Sequence, residues 1–520
     1  MQKNIEIKVE PKFLEDKDFH LKEISKQLKV KTSEITDVTL LRRSIDARTN
    51  PPLYVLRYLV YIGESKKDSP KFQLSLNNIK NNPPVIIVGF GPAGMFAALK
   101  LIELGLKPIV LERGKAVRDR RHDIAAICKD GVVNPESNYC FGEGGAGTFS
   151  DGKLYTRSNK RGSTERVLQI LVEHGATEDI LIDAHPHIGT NKLPKLVQSI
   201  RESIIAHGGE VHFNTKVTEI LKSENKVKGV KTASGDSISA PAVILATGHS
   251  ARDVYLMLQQ SEIKIEQKPF ALGVRVEHPQ EIINKIQYRS NYQNKQLPNA
   301  SYSLVTQCEN HGVFSFCMCP GGIICPAATS DKEIVVNGWS PSKRNSYFAN
   351  SGIVTEIKDN DLKDFTKDKE LAGISLQRSI EEKAFILGGG KQVAPAQRLV
   401  DFIKGKYSQS LPETSYLPGI KSVNLNEVFP KSIYKRLAQG FTNFSEKKNY
   451  FLSEEAVVLA VESRTSSPVR IPREQTTLMH PQLSGLFPSG EGGGYAGGIM
   501  SAAMDGENVA AAVKIFFESN

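Results

Sequence analysis

The segment from Pro84 to Arg113 constrains the fold more than any other part of the chain. It reads as an apolar strand at Val85–Val88, a glycine turn, a helix from about Ala93 to Leu104, and a second strand at Pro108–Leu111 that ends in an acid. The turn has the spacing G-x-G-x-x-G, which lets the chain turn tightly, approach a pyrophosphate with its backbone and pack a helix closely on a strand. This order of elements predicts a parallel α/β sheet that binds a dinucleotide, as in Rossmann-like folds.

Residues of this turn and the acid after it are the predicted dinucleotide contacts. The first amides of the helix would face the pyrophosphate, because the helix dipole favours negative charge at that end. Glu112 follows Gly89 by 23 residues, close to the roughly 20 expected of an acid that binds ribose hydroxyls. The predicted contacts in this segment are Gly89, Gly91, Pro92, Ala93, Gly94, Glu112 and Arg113.

The composition is that of an ordinary globular protein, with 40% hydrophobic and 24% charged residues among 520. A chain of this length is expected to form about two or three domains. Its start, MQKNIEIKVEPKF, lacks the apolar core of a signal peptide, and no stretch is apolar enough to span a membrane. Six cysteines do not suggest a secreted disulfide scaffold. We therefore expect a cytoplasmic protein without a membrane partner.

The net charge of +10 raises the question of a nucleic-acid partner. Residues 1–80 carry 16 Lys+Arg against 11 Asp+Glu, and the lysines are interspersed with acids. The region has no RNA-binding signature, so a solvated surface is favoured over nucleic-acid contact.

The same residues 1–80 are predicted to form a small α+β unit. Strands are expected at Ile5–Val9, Thr36–Ser44 and Tyr54–Ile62, with a helix at Phe19–Leu28. The order β-α-β-β suggests a ferredoxin-like or related unit. A polar linker, 77–84, separates it from the dinucleotide motif.

The region after Glu210 predicts a strand and then a β-meander, with turns at Asn225 and Gly235. The meander leads into a buried strand that ends in the turn Ala246-Thr247-Gly248. No second G-x-G-x-x-G follows a strand, so a separate NAD(P)H-binding domain is not expected. Residues 269–480 mix strands with a long helix at Leu376–Leu387, which is consistent with an inserted substrate domain.

Two further segments are rich in glycine, which lets a backbone approach a flat or anionic group closely. The first is Phe141–Leu154, with the sequence FGEGGAGTFSDGKL. The second is Gly485–Ala512, where a short strand at Leu486–Pro488 is followed by Gly490-Glu491 and by a helix that begins near Gly498. The positive end of that helix could stabilise negative charge on a bound group.

Residues 84–520 resemble a family of uncharacterised FAD-dependent dehydrogenases, found mostly in bacteria, within the glutathione-reductase-like flavoproteins. The phrases that carry the resemblance are GEGGAGTFSDGKL, FCMCPGGIICPAAT, GGGKQVAPAQRLVDF, ESRTSSPVRIPR and GEGGGYAGGIMSAAMDG. The resemblance implies bound FAD and a redox role, but no particular substrate. It places 150–153 near the flavin ring, and it adds to the FAD contacts Gly144, Gly145, Gly147, Thr148, Ser150, Val217, Ala246, Thr247, Gly248, Gly490, Glu491, Ala496, Gly497, Gly498 and Ile499.

The predicted architecture is therefore α/β, with a Rossmann-like FAD-binding domain in two sequence segments. The segments are 84–268 and 481–520, and between them lies the inserted mixed α+β substrate domain, 269–480. The small N-terminal α+β unit, 1–80, precedes both.

Five side chains are candidates for chemistry outside the FAD contacts, and three further histidines are considered with them. Cys317 and Cys319 form a C-x-C that is either a catalytic dithiol or two ordinary packed thiols, and no second ligand pair follows that would predict a metal site. His249 is either an acid–base group or a structural histidine, and His185, His187 and His311 are more scattered candidates. Arg464 and Arg470 either clamp a substrate carboxylate or pair with acids such as Glu462 and Glu474.

The chain is thus interpreted as an FAD-dependent oxidoreductase that acts by flavin hydride transfer on a small molecule, with a carboxylate-bearing compound as the candidate. Freely diffusing NAD(P)H is the candidate electron donor. Two alternatives remain: a tRNA-modifying flavoprotein that binds RNA through residues 1–80, and an FAD-binding module whose flavin has a structural or sensing role.

Overall fold

The computed structural model describes residues 1–66, 72–156 and 162–519. The N-terminal part has the predicted order β-α-β-β, and its elements are β1 (Gln2–Val9), α1 (Lys17–Leu28), β2 (Ile35–Asp46) and β3 (Leu53–Ile62). Strand β3 lies between β1 and β2 in an antiparallel sheet.

A parallel sheet and its covering elements follow. In chain order they are β4 (Pro84–Val88), α2 (Pro92–Glu103), β5 (Lys107–Leu111), α3 (Val117–Lys129), α4 (Thr164–Glu173), α5 (Asp179–Ile182), α6 (Leu193–Ala206), β6 (Glu210–His212), β7 (Val217–Ser223), β8 (Lys226–Thr232), β9 (Ser237–Ser239), β10 (Val243–Leu245) and α7 (Arg252–Gln260). Strands β7, β8 and β9 form the predicted antiparallel meander.

The rest of the chain builds a second, larger sheet and then returns to the first. Its elements are β11 (Glu266–Gln267), β12 (Phe270–Pro279), α8 (Gln280–Tyr288), β13 (Val305–Cys308), β14 (His311–Cys319), β15 (Ile323–Pro326), β16 (Val336–Trp339), β17 (Phe348–Ile357), α9 (Ala372–Gly388), β18 (Ala394–Arg398), α10 (Leu399–Lys404), β19 (Ile420–Ser422), α11 (Lys431–Lys447), β20 (Val457–Glu462), β21 (Val469–Arg470), β22 (Leu486–Pro488) and α12 (Ile499–Glu518).

Within the described residues, the first sheet has five strands in the order β22-β10-β4-β5-β6, and all neighbours are parallel. Strand β4 is almost entirely apolar because both of its faces are covered. Val85 and Ile87 face a core formed with α2, α4, α6 and α12. Ile86 and Val88 face the meander and α7.

In the part of the chain that the structure describes, the second sheet has seven strands in the order β13-β14-β17-β12-β20-β18-β19. Its core includes buried residues of α9, α10 and α11. The apolar face of the N-terminal sheet packs against elements of the second half of the chain. Its buried residues, such as Ile7 and Leu56, share one apolar cluster with Ile283 of α8 and with Met318 of β14. Among the described residues, no helix is both long and apolar enough to cross a bilayer.

Candidate functional site

A cavity of about 390 Å³ lies between the two sheets. The turns after β4, β5 and β10 line one side of it, together with the start of α12. The opposite side consists of residues of β14 and β16 and of the segment that ends β20. All strands of the first sheet are parallel, so their carboxyl ends meet at one edge, which is where α/β sheets bind ligands.

The glycine turn after β4 has the close contacts that its spacing predicts. Gly89 has φ +100°, and a Cβ there would lie 2.5 Å from the Ala246 carbonyl oxygen. A Cβ at Gly94 would lie 2.1 Å from the Gly89 carbonyl oxygen, because α2 packs directly on the turn. A Cβ at Gly91 would meet no protein atom within 4 Å. Gly91 therefore leaves an open place in the cavity wall, where a ligand's pyrophosphate could approach the backbone.

The acid after β5 is held by backbone amides at the cavity wall. Phe90 N–H donates to Oε2 of Glu112 at 2.8 Å, and Gly114 N–H and Gly142 N–H donate to Oε1, each at 2.9 Å. Glu112 is buried and lines the cavity. An ionised carboxylate has about four acceptor positions, so one remains for a hydroxyl group of a ligand.

Two helices direct their N-termini at the same cavity. Pro92 and Ala93 of α2 line it, as do Gly498 and Ile499 at the start of α12. Added Cβ atoms at Gly497 and Gly498 would meet no protein atom within 4 Å. The two positive helix ends and the open glycine backbone form a surface suited to an anionic ligand.

Most of the FAD contacts expected from the sequence line this cavity. They are Gly89, Gly91, Pro92, Ala93, Glu112, Arg113, Gly145, Gly147, Ser150, Val217, Ala246, Thr247, Gly248, Glu491, Gly497, Gly498 and Ile499.

Five of the expected FAD contacts do not line the cavity. Gly94 is used to pack α2 on the turn. Gly144 and Thr148 contact one another, and the Thr148 hydroxyl donates to the Glu143 carbonyl oxygen. The Gly490 amide donates to Asp505, and Ala496 packs against the core of the first sheet. These residues support the cavity wall from behind.

Three parts of the chain match known protein families. A family described as "FAD-dependent protein, C-terminal domain-like" matches residues 269–465, and one described as "FAD dependent oxidoreductase" matches residues 185–314. Residues 1–61 match a domain of unknown function. An uncharacterized protein of Clostridium beijerinckii is 40% identical over 510 residues, which cover 94% of each chain. The chain belongs to the FAD-dependent oxidoreductase family.

Solved structures similar to this flavoprotein share little sequence with it. CtdE in complex with FAD is 13% identical, with a TM-score of 0.33, over 84% of this chain and 85% of that one. A geranylgeranyl bacteriochlorophyll reductase-like protein from Thermoplasma acidophilum is 13% identical, with a TM-score of 0.35, over 85% and 80%. Glycine oxidase from Bacillus cereus is 14% identical, with a TM-score of 0.30, over 83% and 97%.

The cofactor of this flavoprotein is FAD, and the cavity wall fits it. Gly91 leaves the opening that a pyrophosphate requires, and Glu112 keeps an acceptor position that a ribose hydroxyl can use. The buried hydroxyl oxygen of Thr247, in the turn after β10, has no hydrogen-bond partner among the described residues. A bound ligand would supply the missing partner, as buried polar groups normally have one.

The arginine clamp for a substrate carboxylate is not supported by the structure. Arg464 lines the cavity, but its guanidinium donates to Thr329 at 2.6 Å, to Glu333, and to both carboxylate oxygens of Glu381 at 3.1 Å. These carboxylates use the donors that a substrate would need. The acidic partners of Arg464 are therefore Glu333 and Glu381, and not Glu462 or Glu474, which are nearer in the sequence.

The second arginine lies elsewhere. The Arg470 side chain is exposed, does not line the cavity, and lies over the ring of Tyr495, 5.8 Å from its centre. Substrate anchoring by Arg464 or Arg470 is therefore corrected to structural roles.

His249 is the histidine that lines the cavity among the four considered from the sequence. Its Nε2 lies 3.6 Å from Oε2 of Glu491. Burial, together with the positive charges of Arg464, Arg252 and Lys268, lowers the pKa of His249 to about 4. At neutral pH it is an uncharged imidazole that can donate one hydrogen bond and accept another.

The low pKa of His249 should appear in the pH dependence of stability. The unfolded histidine binds a proton below about pH 6.5, whereas the folded one binds it only below about pH 4, so acid favours the unfolded chain between these values. We expect the unfolding free energy of the wild type, measured relative to that of His249→Gln, to fall by about 1.4 kcal/mol for each unit by which the pH is lowered in that window. Urea denaturation from pH 7.5 to 4 measures this, and parallel curves would contradict the assignment.

Three residues of β16 and β20 line the cavity although the sequence did not mark them as site residues. Asn337 and Gly338 of β16 and Glu462 of β20 line the cavity. A Cβ at Gly338 would lie 2.2 Å from the Arg275 guanidinium, so the glycine makes room for a buried charge. Two signals were available: Asn-Gly is unusual inside a strand, and Glu462 ends the otherwise apolar run VVLAVE.

Proposed function

We propose that the chain transfers a hydride equivalent between FAD and a small molecule that enters the cavity between the two sheets. The observation that carries the proposal is a single cavity with two different walls. Gly91 and Glu112 belong to the dinucleotide-binding wall, and Lys153, Cys317 and Glu462 bring reactive or charged groups to the same space. A cavity with mainly apolar walls and a few polar groups is typical of a small-molecule active site.

In this proposal residues 84–268 and 481–520 form the FAD-binding domain, and residues 269–480 form a domain that covers it. The position of β22 beside β10 supports the two-segment arrangement, because the C-terminal strand completes the first sheet. The meander β7–β9 that leads into β10 and the turn at Ala246–Gly248 support a place among the glutathione-reductase-like flavoproteins.

FAD when bound supplies two-electron redox chemistry, and the protein supplies binding and orientation. Glu112 would accept a hydrogen bond from the ribose, and the amides that begin α2 would face the pyrophosphate. The start of α12 would place its positive end beside the flavin ring and favour negative charge there.

Other side chains would shape the substrate space. Phe316, Ala327, Val335 and Val336 give the second wall an apolar surface that excludes water. His249 stays uncharged at neutral pH and can orient or exchange a proton with the substrate. The substrate is a small molecule held without an arginine clamp, since Arg464 is already paired.

The test is an absorbance spectrum of the purified protein, followed by anaerobic addition of NADH and then NADPH. We expect the visible bands of oxidised flavin, and bleaching by at least one nicotinamide, because the bound ring must accept electrons to act. A flavin that no donor reduces would favour the alternative of a structural or sensing flavin. A colourless protein that cannot be reconstituted with FAD would overturn the proposal.

A further inference from the structure

The second wall of the cavity contains two cysteines in contact. The Sγ atoms of Cys317 and Cys319 are 4.0 Å apart. Cys317 lines the cavity, and Cys319 is fully buried behind it. The first thiol can therefore meet a molecule in the cavity, and the second can meet only the first.

The backbone brings these thiols together by departing from regular strand geometry. In a regular strand, residues i and i+2 are roughly 6.6 Å apart, twice the rise per residue. Here the register of β14 against β17 shifts between Phe316 and Cys319, and Cys317 has φ +46°. A non-glycine residue in this left-handed region is uncommon, and such strain concentrates at functional sites.

Positive charges surround the outer thiol. Lys153, from the glycine-rich FAD segment, places its Nζ 3.8 Å from Sγ of Cys317 and also donates to the Met318 carbonyl oxygen. The buried Arg275, paired with Glu462 at 2.7 Å, donates to the Cys317 carbonyl oxygen at 3.4 Å. Lysine and arginine beside a cysteine stabilise its thiolate, which is the nucleophilic form.

The two thiols differ in acidity as an attacking and a resolving cysteine should. The hydrogen bond with Cys319, aided by Lys153 and Arg275, lowers the pKa of Cys317 well below its ordinary value despite burial. The same hydrogen bond and burial raise the pKa of Cys319.

The other four cysteines show what an ordinary packed thiol looks like in this chain. Burial raises the pKa of Cys128 to about 11, and it also raises the pKa values of Cys140, Cys308 and Cys325. Cys317 is the exception among the six, and it is the one with a cationic neighbour, a left-handed backbone and a second thiol in contact.

We propose that Cys317 and Cys319 form a redox-active dithiol that opens into the FAD cavity and exchanges with a disulfide-containing substrate. This inference rests on the proposed function, because it names the class of substrate for the same cavity.

The exchange proceeds in two balanced steps. The Cys317 thiolate attacks one sulfur of the substrate disulfide, so the substrate S–S bond breaks, a Cys317–substrate disulfide forms and one substrate thiolate leaves. Cys319 then loses its proton and attacks Sγ of Cys317, which releases the second substrate thiolate. The substrate gains two electrons, and the two protons lost by the cysteines end on its two thiols.

The resulting Cys317–Cys319 bond requires the two Sγ atoms to approach by about 2 Å from their present separation, to the roughly 2.05 Å of a disulfide. Return to the dithiol takes two electrons and two protons. FAD, which the residues of the first wall would hold in the same cavity, would supply the electrons, and the protons would come from solvent.

The first experiment measures the pair itself in the full-length protein. The holoprotein is equilibrated in glutathione buffers of varying ratio, alkylated and digested, and the peptide that carries both cysteines is analysed by mass spectrometry. We expect a single two-electron transition to a peptide lighter by two hydrogens, unchanged in Cys308→Ser, whose thiol lies outside the cavity. Cys317→Ser and Cys319→Ser should each abolish it. Two thiols that stay alkylatable at every ratio would overturn the proposal.

A second measurement tests the role of Lys153. The rate of Cys317 alkylation by iodoacetamide is followed against pH, with Cys319 replaced by serine in every sample. We expect Lys153→Gln to slow the reaction about tenfold at pH 7 and to move the profile to higher pH, and Lys153→Arg to restore it. Equal profiles for all three proteins would exclude activation by Lys153.

A third measurement separates this inference from the proposed function. The oxidised holoprotein receives one equivalent of NADH or NADPH without oxygen, and both flavin absorbance and free thiols are recorded. We expect thiols to appear at Cys317 and Cys319 as the flavin regains its oxidised spectrum. Flavin that stays reduced beside an intact disulfide overturns the dithiol and leaves the proposed function standing. A pair that cycles in glutathione while no donor reduces the flavin sustains the dithiol and counts against the proposed function.

Discussion

Replacing Glu381 with glutamine is expected to destabilise the fold by about 3–5 kcal/mol, the cost of breaking a buried ion pair from one side. Glu381 lies on α9 and is fully buried. Its carboxylate accepts from Arg252 at 2.8 and 2.9 Å and from Arg464 at 3.1 Å. The side chain thus joins α9, the helix α7 beside the first sheet, and the segment after β20 that lines the cavity.

The loss is large because the carboxylate of Glu381 pairs with two guanidinium groups, which would be left with Glu333 as their shared acidic partner. Glutamine keeps the shape and can still accept hydrogen bonds, but it leaves positive charge buried without full compensation. Urea denaturation gives the unfolding free energy. The neighbouring Glu382 is exposed, so Glu382→Gln is the matched control and should change that free energy by less than about 0.5 kcal/mol. An equally small change for Glu381→Gln would contradict the prediction.

The carboxyl group of Glu381 should also make the unfolding free energy depend on pH. The charges of Arg252 and Arg464 outweigh burial and lower the pKa of Glu381 to about 2. Since an unfolded glutamate titrates near pH 4.3, the stabilisation is complete above that value and is lost as the pH falls toward 2. The stability gap between wild type and Glu381→Gln should therefore narrow in this range, and denaturation curves at pH 5 and pH 3 would show it.

Replacing Gly91 with alanine is expected to weaken FAD binding about 10- to 100-fold while leaving the apoprotein folded. The added methyl would meet no protein atom within 4 Å, so the fold has room for it. The same methyl would occupy the place where the cofactor approaches the backbone. Overfilling a packed contact costs about 1–3 kcal/mol, which corresponds to this change in affinity.

Gly94→Ala is the matched control for this effect. Its Cβ would lie 2.1 Å from the Gly89 carbonyl oxygen, so the substitution should lower the stability of the apoprotein itself. FAD titration gives the affinity, and urea denaturation of the apoproteins gives the stability. If Gly91→Ala bound FAD as tightly as the wild type, the cofactor would not lie against the backbone at Gly91.

The sequence by itself determined the local elements of the dinucleotide-binding wall. The predicted strands and helix of 84–113 agree with β4, α2 and β5 to within about one residue, and Leu486–Pro488 is β22 without change. The physical reason is that apolar periodicity and the glycine turn act over a few residues, so their pattern is readable from spacing. The predicted domain boundaries stay predictions.

Only the tertiary structure decided which side chains meet across the cavity. Arg464 pairs with Glu333 and Glu381, more than 80 positions away, and not with the nearby acids. Lys153 reaches Cys317 across 164 positions, and the strained backbone at Cys317 brings Cys319 close. Such contacts depend on how the two sheets pack. Residues that meet from distant parts of the chain produce no regular spacing that could be recognised in the sequence. The chain alone could therefore point to FAD, while the neighbours of the reactive groups needed the fold.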